Sequence, residues 1–155
     1  MQVLEVERAG LVGRRYEVRL DGGPLTTWQP RAFGEGGSAE LRGRLYELRR
    51  SGWRRLVFTS DGRTIGWAER RGLGRSWTLA FDGAYHELDQ SLFRSAMALT
   101  RDGAPVGAIR RTASLRGKVV GELSPELSPP LQLFVVVVAM AIWDRGSRAR
   151  ASGDG

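Results

Sequence analysis

The sequence predicts a mainly β protein: a closed antiparallel barrel of about 11–12 strands around a central hydrophobic C-terminal α-helix. Leu131 to Trp143, LQLFVVVVAMAIW, is apolar at every position except Gln132. Upstream of it, short alternating segments are separated by Asp-Gly pairs, which favour the primed turns of β-hairpins. No amphipathic helical pattern interrupts those segments, and a sheet so large curls until its edges meet.

The first strand is expected over Gln2 to Arg8. Arg15 to Leu20 follows, with Tyr16, Val18 and Leu20 on one face and Arg15, Glu17 and Arg19 on the other, closed by Asp21-Gly22. Leu25 to Phe33 contains Pro30 and suits an edge or a bulged strand. Glu35 to Ser38 reads as a loop. Leu41 to Leu48 changes phase midway, which a bulge near Gly43 explains.

Three hairpins come next. Trp53 to Thr59 and Thr64 to Glu69 flank Asp61-Gly62; Ser76 to Phe81 and Ala84 to Leu88 flank Asp82-Gly83; Phe93 to Leu99 and Pro105 to Arg110 flank Asp102-Gly103. Ser114 to Leu123 is the last strand, giving about eleven in all. Gly22, Gly43, Gly62, Gly83 and Gly103 keep a beat of about 20 residues, two strands with their connections. DGRTIGWAER at Asp61 to Arg70 and DGAPVGAIRR at Asp102 to Arg111 repeat one pattern, in which Gly66 or Gly107 makes a bulge or admits a close neighbour.

For the terminal run, Ser128 suits an N-cap and Pro129 the first helical position. Arg145 and Gly146 supply a cationic last turn and a C′ glycine. The β-branched run Val135 to Val138 keeps a buried central strand as the competing reading. A helix apolar on all sides must be enclosed by protein or by lipid. As a helix the run spans about 20 Å, short of the ~30 Å hydrocarbon core of a bilayer. A tail anchor, with Trp143 at the interface and Arg145, Arg148 and Arg150 as a positive flank, is therefore the weaker alternative to enclosure by a barrel.

The chain has 155 residues, fit for one domain: residues 1–145 form the barrel with a buried helix near 129–145, and 146–155 a flexible tail. Cysteine is absent, which excludes disulfides, thiolate nucleophiles and cysteine-ligated metals. MQVLEVERAG lacks the pattern of a signal peptide, so a cytoplasmic location is expected. Formal charge is +7, and Lys118 is the single lysine among the cations. Planar arginine donors suit phosphate and carboxylate.

The order of parts resembles the tubby C-terminal-like superfamily, with its tubby proteins, phospholipid scramblases and LURP-one-related proteins. What carries the resemblance is the repeated strand, Asp-Gly turn, strand unit at Asp61-Gly62, Asp82-Gly83 and Asp102-Gly103, ending in Leu131 to Trp143. It implies a hydrophobic helix threaded through a roughly twelve-stranded barrel. The phosphoinositide-binding positions of tubby proteins find no residue-by-residue match in a chain with one lysine. Nor does the acidic calcium segment of the scramblases, because GELSPELSPP offers only Glu122 and Glu126.

His86, in AYHELD, has Asp89 and Ser91 nearby, but strand neighbours alternate faces and no oxyanion-hole sequence accompanies them. It is expected to be a surface histidine. Glu87 and Asp89 are too few for a metal site, RGLGRSW is a hairpin connection and not a phosphate loop, and neither cofactor nor metal is expected. Trp53, Trp67 and Trp77 are assigned to strands and Trp28 and Trp143 to element ends, mostly as barrel wall.

The arginine doublets are the informative polar feature. In a meander, Arg49-Arg50, Arg70-Arg71 and Arg110-Arg111 finish even-numbered strands, and Arg54-Arg55 begins the strand after the first of them. One rim would then carry a basic crown suited to an anionic membrane surface or a phosphoinositide. The plain alternative is a solvated rim bridged by Glu47 and Glu69. The expectation is a monomeric, non-enzymatic binding domain, cytoplasmic and peripheral to the membrane, that recognises phospholipid head groups. A protein-interaction scaffold and a single-stranded nucleic-acid binder are the alternatives.

Overall fold

A computed structural model describes residues 1–10, 14–72, 75–90, 95–112 and 117–153, with side chains described through 147. Twelve strands precede one helix. They are β1 (Gln2–Arg8), β2 (Tyr16–Leu20), β3 (Gly23–Pro30), β4 (Gly36–Leu41), β5 (Arg44–Arg50) and β6 (Arg55–Ser60). There follow β7 (Arg63–Arg70), β8 (Ser76–Phe81), β9 (Ala84–Gln90), β10 (Ala96–Arg101), β11 (Ala104–Arg111) and β12 (Val119–Leu123), then α1 (Pro129–Gly153). Each strand pairs antiparallel with the next, and β1 pairs with β12 to close the barrel.

Five hairpin turns define one rim. In each, both central residues have positive φ: Asp21 at 50° and Gly22 at 83° are typical, and Arg42-Gly43, Asp61-Gly62, Asp82-Gly83 and Asp102-Gly103 repeat them. Aspartate tolerates that conformation and also bonds outward. Val3 N–H donates to Asp21 Oδ1 and Leu45 N–H to Asp61 Oδ1, both at 2.8 Å, so each of these turns clasps the strand before its own hairpin. The Arg42-Gly43 turn corrects two expectations, since Gly43 is a hairpin corner and not a bulge, and Gly36 to Ser38 belong to β4 and not to a loop.

Register slips in alternate hairpins. Leu25, Ile65 and Val106 are extra residues opposite Val18/Arg19, Phe58/Thr59 and Leu99/Thr100, whereas the hairpins at Arg42-Gly43 and Asp82-Gly83 pair without a slip. Each bulge follows its turn at the same offset and adds local twist, which helps a sheet close. Phe93, Arg94 and Ser114 to Arg116, assigned above to strands, lie outside the described residues.

The helix runs up the lumen from the Asp-Gly rim. Gln132 N–H bonds the Ser128 carbonyl at 2.9 Å, the first turn of a helix that Ser128 caps and Pro129 begins. Leu133 to Ala139 are buried on every side, and Phe134 stacks at 4.9 Å on Phe58, itself stacked on Tyr46 at 5.5 Å. Small residues on the wall make room: a Cβ added to Gly121 would come within 3.1 Å of Val136. Gln132, the polar exception, donates to Gln2 Oε1 and to the Leu127 carbonyl, so its buried amide nitrogen is satisfied. Length and hydropathy would let Pro129–Ser147 cross a membrane. Here the protein's own sheet encloses it. The helix continues through Gly146, which therefore does not terminate it.

Candidate functional site

The two rims differ in charge because of what their connections contain. The turn rim carries Asp21, Asp61, Asp82 and Asp102, balanced by Arg42 and by Arg44, Arg63 and Arg101 at the adjoining strand ends. The connections at the opposite rim, where α1 emerges, carry Arg14, Arg15, Arg31, Arg54, Arg71, Arg75 and Lys118 among their described residues, against Glu35. That acid is already neutralised by Arg145 on the emerging helix, which it meets through two bonds of 2.6 Å. One end of the barrel is thus a cationic mouth.

A cleft of about 900 Å³ opens in that mouth, between α1 and the wall built from β1–β3, β11 and β12. Strand alternation explains its chemistry. Leu4 and Val6 face inward on β1, so Arg8, two residues on, takes the same face where the barrel opens; Arg111 continues the inward row of Ile109 on β11. With Arg14 they supply the cations, and Asp144, itself partnered, supplies the acid. Trp28, Met140 and Trp143 form apolar walls. The Arg111 guanidinium lies 5.2 Å from the centre of the Trp143 ring. The Trp143 indole nitrogen is buried and finds no hydrogen-bond partner among the described residues. Forked donors above an apolar floor suit an anionic group carried on an apolar body.

The arginines singled out in the sequence divide between two places. β5, β7 and β11 end at the mouth, so Arg49-Arg50, Arg70-Arg71 and Arg110-Arg111 share one rim with Arg54 and Arg55. The strands carrying the doublets are odd-numbered and not even-numbered, because the Arg42-Gly43 hairpin adds one to the count. Arg55, Arg71 and Arg110 lie on the outer wall, bridged to Glu69, Glu87 and Glu122. Arg55 also covers the Trp67 ring at 4.6 Å. Such half-exposed pairs contribute about 0–1 kcal/mol each. Arg49 is exposed at the end of β5, and Arg50 donates to the Gly52 carbonyl at 2.9 Å. Arg70 holds the inward phase of β7 and is partnered. Only Arg111 of the eight lines the cleft; Arg8 and Arg14 do so as well, and their signal was the inward phase of Arg8.

Two further expectations are corrected. Trp53 lies in the β5–β6 connection, exposed, and not in a strand. His86 is buried, because it shares the inward face of β9 with Leu88, and both ring nitrogens lack a hydrogen-bond partner among the described residues. Burial, reinforced by the nearby Arg101 charge and only partly opposed by Asp102, pushes its pKa below the usual histidine value.

Compared with protein-family models, curated proteins and solved structures, the chain matches none.

Proposed function

We propose that this chain is a non-enzymatic, tubby-like binding domain that recognises anionic phospholipid head groups at the mouth where its helix emerges. It would work in the cytoplasm at the periphery of a membrane. A closed twelve-stranded antiparallel barrel around one C-terminal helix is compatible with the tubby-like architecture. The observation that carries the functional reading is the uneven charge of the two rims, with arginine forks gathered around a cleft at one end and aspartates balanced by arginines at the other.

Near an anionic bilayer each such cation contributes about 1 kcal/mol, so the mouth gains from the contact while the turn rim, where Arg42, Arg44, Arg63 and Arg101 balance the aspartates, gains little. The non-enzymatic reading is supported by the placement of His86, the chain's one histidine, in the barrel wall away from the cleft.

Flotation with phosphatidylcholine vesicles, with and without phosphatidylserine or a phosphoinositide, tests the reading. Binding is expected only to the acidic vesicles. The R8S/R14S variant and the R70S/R71S/R110S/R111S variant should each weaken it. Equal behaviour with neutral and acidic vesicles would contradict the proposal. A stronger, salt-sensitive shift of single-stranded oligonucleotide would move the site to nucleic acid.

A further inference from the structure

The same mouth carries the two most exposed aromatic side chains of the described chain that lie on loops. Phe33, 90% exposed, sits in the β3–β4 connection, and Trp53, 58% exposed, in the β5–β6 connection. Single exposed apolar residues are ordinary on a soluble surface. These two differ in their placement. Arg145 holds both loops at once: its guanidinium grips the Glu35 carboxylate on one and donates to the Trp53 carbonyl on the other at 3.0 Å. Among the described residues the other large exposed apolar side chains are elsewhere: Met1 precedes β1 at the turn rim, and Leu45 and Tyr85 lie on the outer wall.

Cations flank the pair. Arg54 lies over the Trp53 ring at 4.6 Å, and Arg31 precedes Phe33 by two residues on its loop. The β3–β4 segment also borders the cleft, which Pro30 and Gly36 line. The mouth therefore combines a basic cleft, arginines on its connections and two exposed aromatic side chains on its loops.

We infer that Phe33 and Trp53 are interfacial anchors that enter the boundary between head groups and acyl chains of an anionic bilayer, mouth downward. The inference rests on the head-group reading and adds to it the orientation of the barrel. Aromatic rings favour that boundary, while arginines remain with the phosphates. Loops already tied by Arg145 bind without a large ordering cost, which makes the tips effective as a pair. The occupant is a bilayer and not a protein groove, because Arg31 and Arg54 stand beside the tips and the acid of the same loops, Glu35, is already held by Arg145.

The cysteine-free chain makes the test direct. An environment-sensitive fluorophore is placed on A32C, beside Phe33, or on A104C, exposed at the turn rim. Vesicles contain phosphatidylcholine and phosphatidylserine in equal parts, with brominated acyl chains as quenchers. The A32C probe should shift to the blue and be quenched, while the A104C probe does neither. F33S and W53S should each weaken partitioning by about tenfold, the value of one buried aromatic, without changing the melting temperature. Charge-dependent binding with an unshifted A32C probe, or undiminished binding of F33S and W53S, overturns insertion and leaves the head-group reading standing. Failure of the parent chain to bind acidic vesicles at all overturns both.

Discussion

Arg145, on the emerging turns of α1, and Glu35, in the β3–β4 connection, form a two-pronged ion pair in which Nε and Nη2 donate to the two carboxylate oxygens at 2.6 Å each. Their side chains are 21% and 10% exposed, so this pair is far more sheltered than the bridges on the outer wall. Arg145 also faces Trp77 at 5.2 Å, which fixes the guanidinium between a strand and two loops. The helix is thereby fastened at the mouth as Gln132 fastens it at the turn rim.

Arg145→Ala leaves a sheltered carboxylate without its partner and should cost about 2 kcal/mol in urea unfolding. Glu35→Gln should cost less, since the amide oxygen still accepts. The double variant should be less damaging than the sum of the singles, and simple additivity would show the pair to be uncoupled.

Val137 is 1% exposed at the centre of the helix. Val137→Asp buries a charge with no partner and should destabilise by about 4 kcal/mol or more, or prevent folding. Thermal melting decides it. A variant that melts with the parent would mean that the helix is not enclosed.

His86 makes stability depend on pH in a stated direction. Its folded pKa lies below the ordinary 6.5, so between those two values the unfolded chain holds a proton that the folded chain does not. The His86 contribution is present in full above about pH 6.5 and is lost as pH falls toward the folded pKa. Urea midpoints at about pH 7.5 and 5.5 should differ in the parent more than in His86→Leu. Equal differences would show that the folded ring titrates with the same pKa as the unfolded one.

The seam between β3 and β4 is narrow, with Gln29 opposite Ser38 and Pro30 opposite Gly37. Gly37 allows that approach, because a Cβ there would lie 2.4 Å from the Gln29 carbonyl oxygen and 2.9 Å from Pro30 Cα. Gly37→Ala should cost about 2 kcal/mol by overpacking and speed hydrogen exchange along the seam. Unchanged exchange would place the weak point of the barrel elsewhere.

What could be read from the sequence follows from how local its physics is. The Asp-Gly corners and the all-apolar run state their structure within a few residues, and the barrel and its filling follow from them. Arg42 escaped notice because arginine rarely takes positive φ, so one hairpin went unseen and every later strand was numbered one too low. Gly146 misled because a single glycine costs a helix only about 1 kcal/mol. The inward phase of His86 was legible from Leu88, and that of Arg8 from Leu4 and Val6. The cleft was not, since Arg14, Arg111 and Trp143 meet only when β1 closes on β12.

The most direct test of the account is an NMR titration with a short-chain, micelle-free phosphatidylinositol phosphate, followed through arginine side-chain and tryptophan indole signals. The account predicts saturable shifts at Arg8, Arg14, Arg111 and Trp143, with the turns at Asp21, Asp61, Asp82 and Asp102 unmoved. Shifts centred on those turns, or none at the mouth, would contradict it.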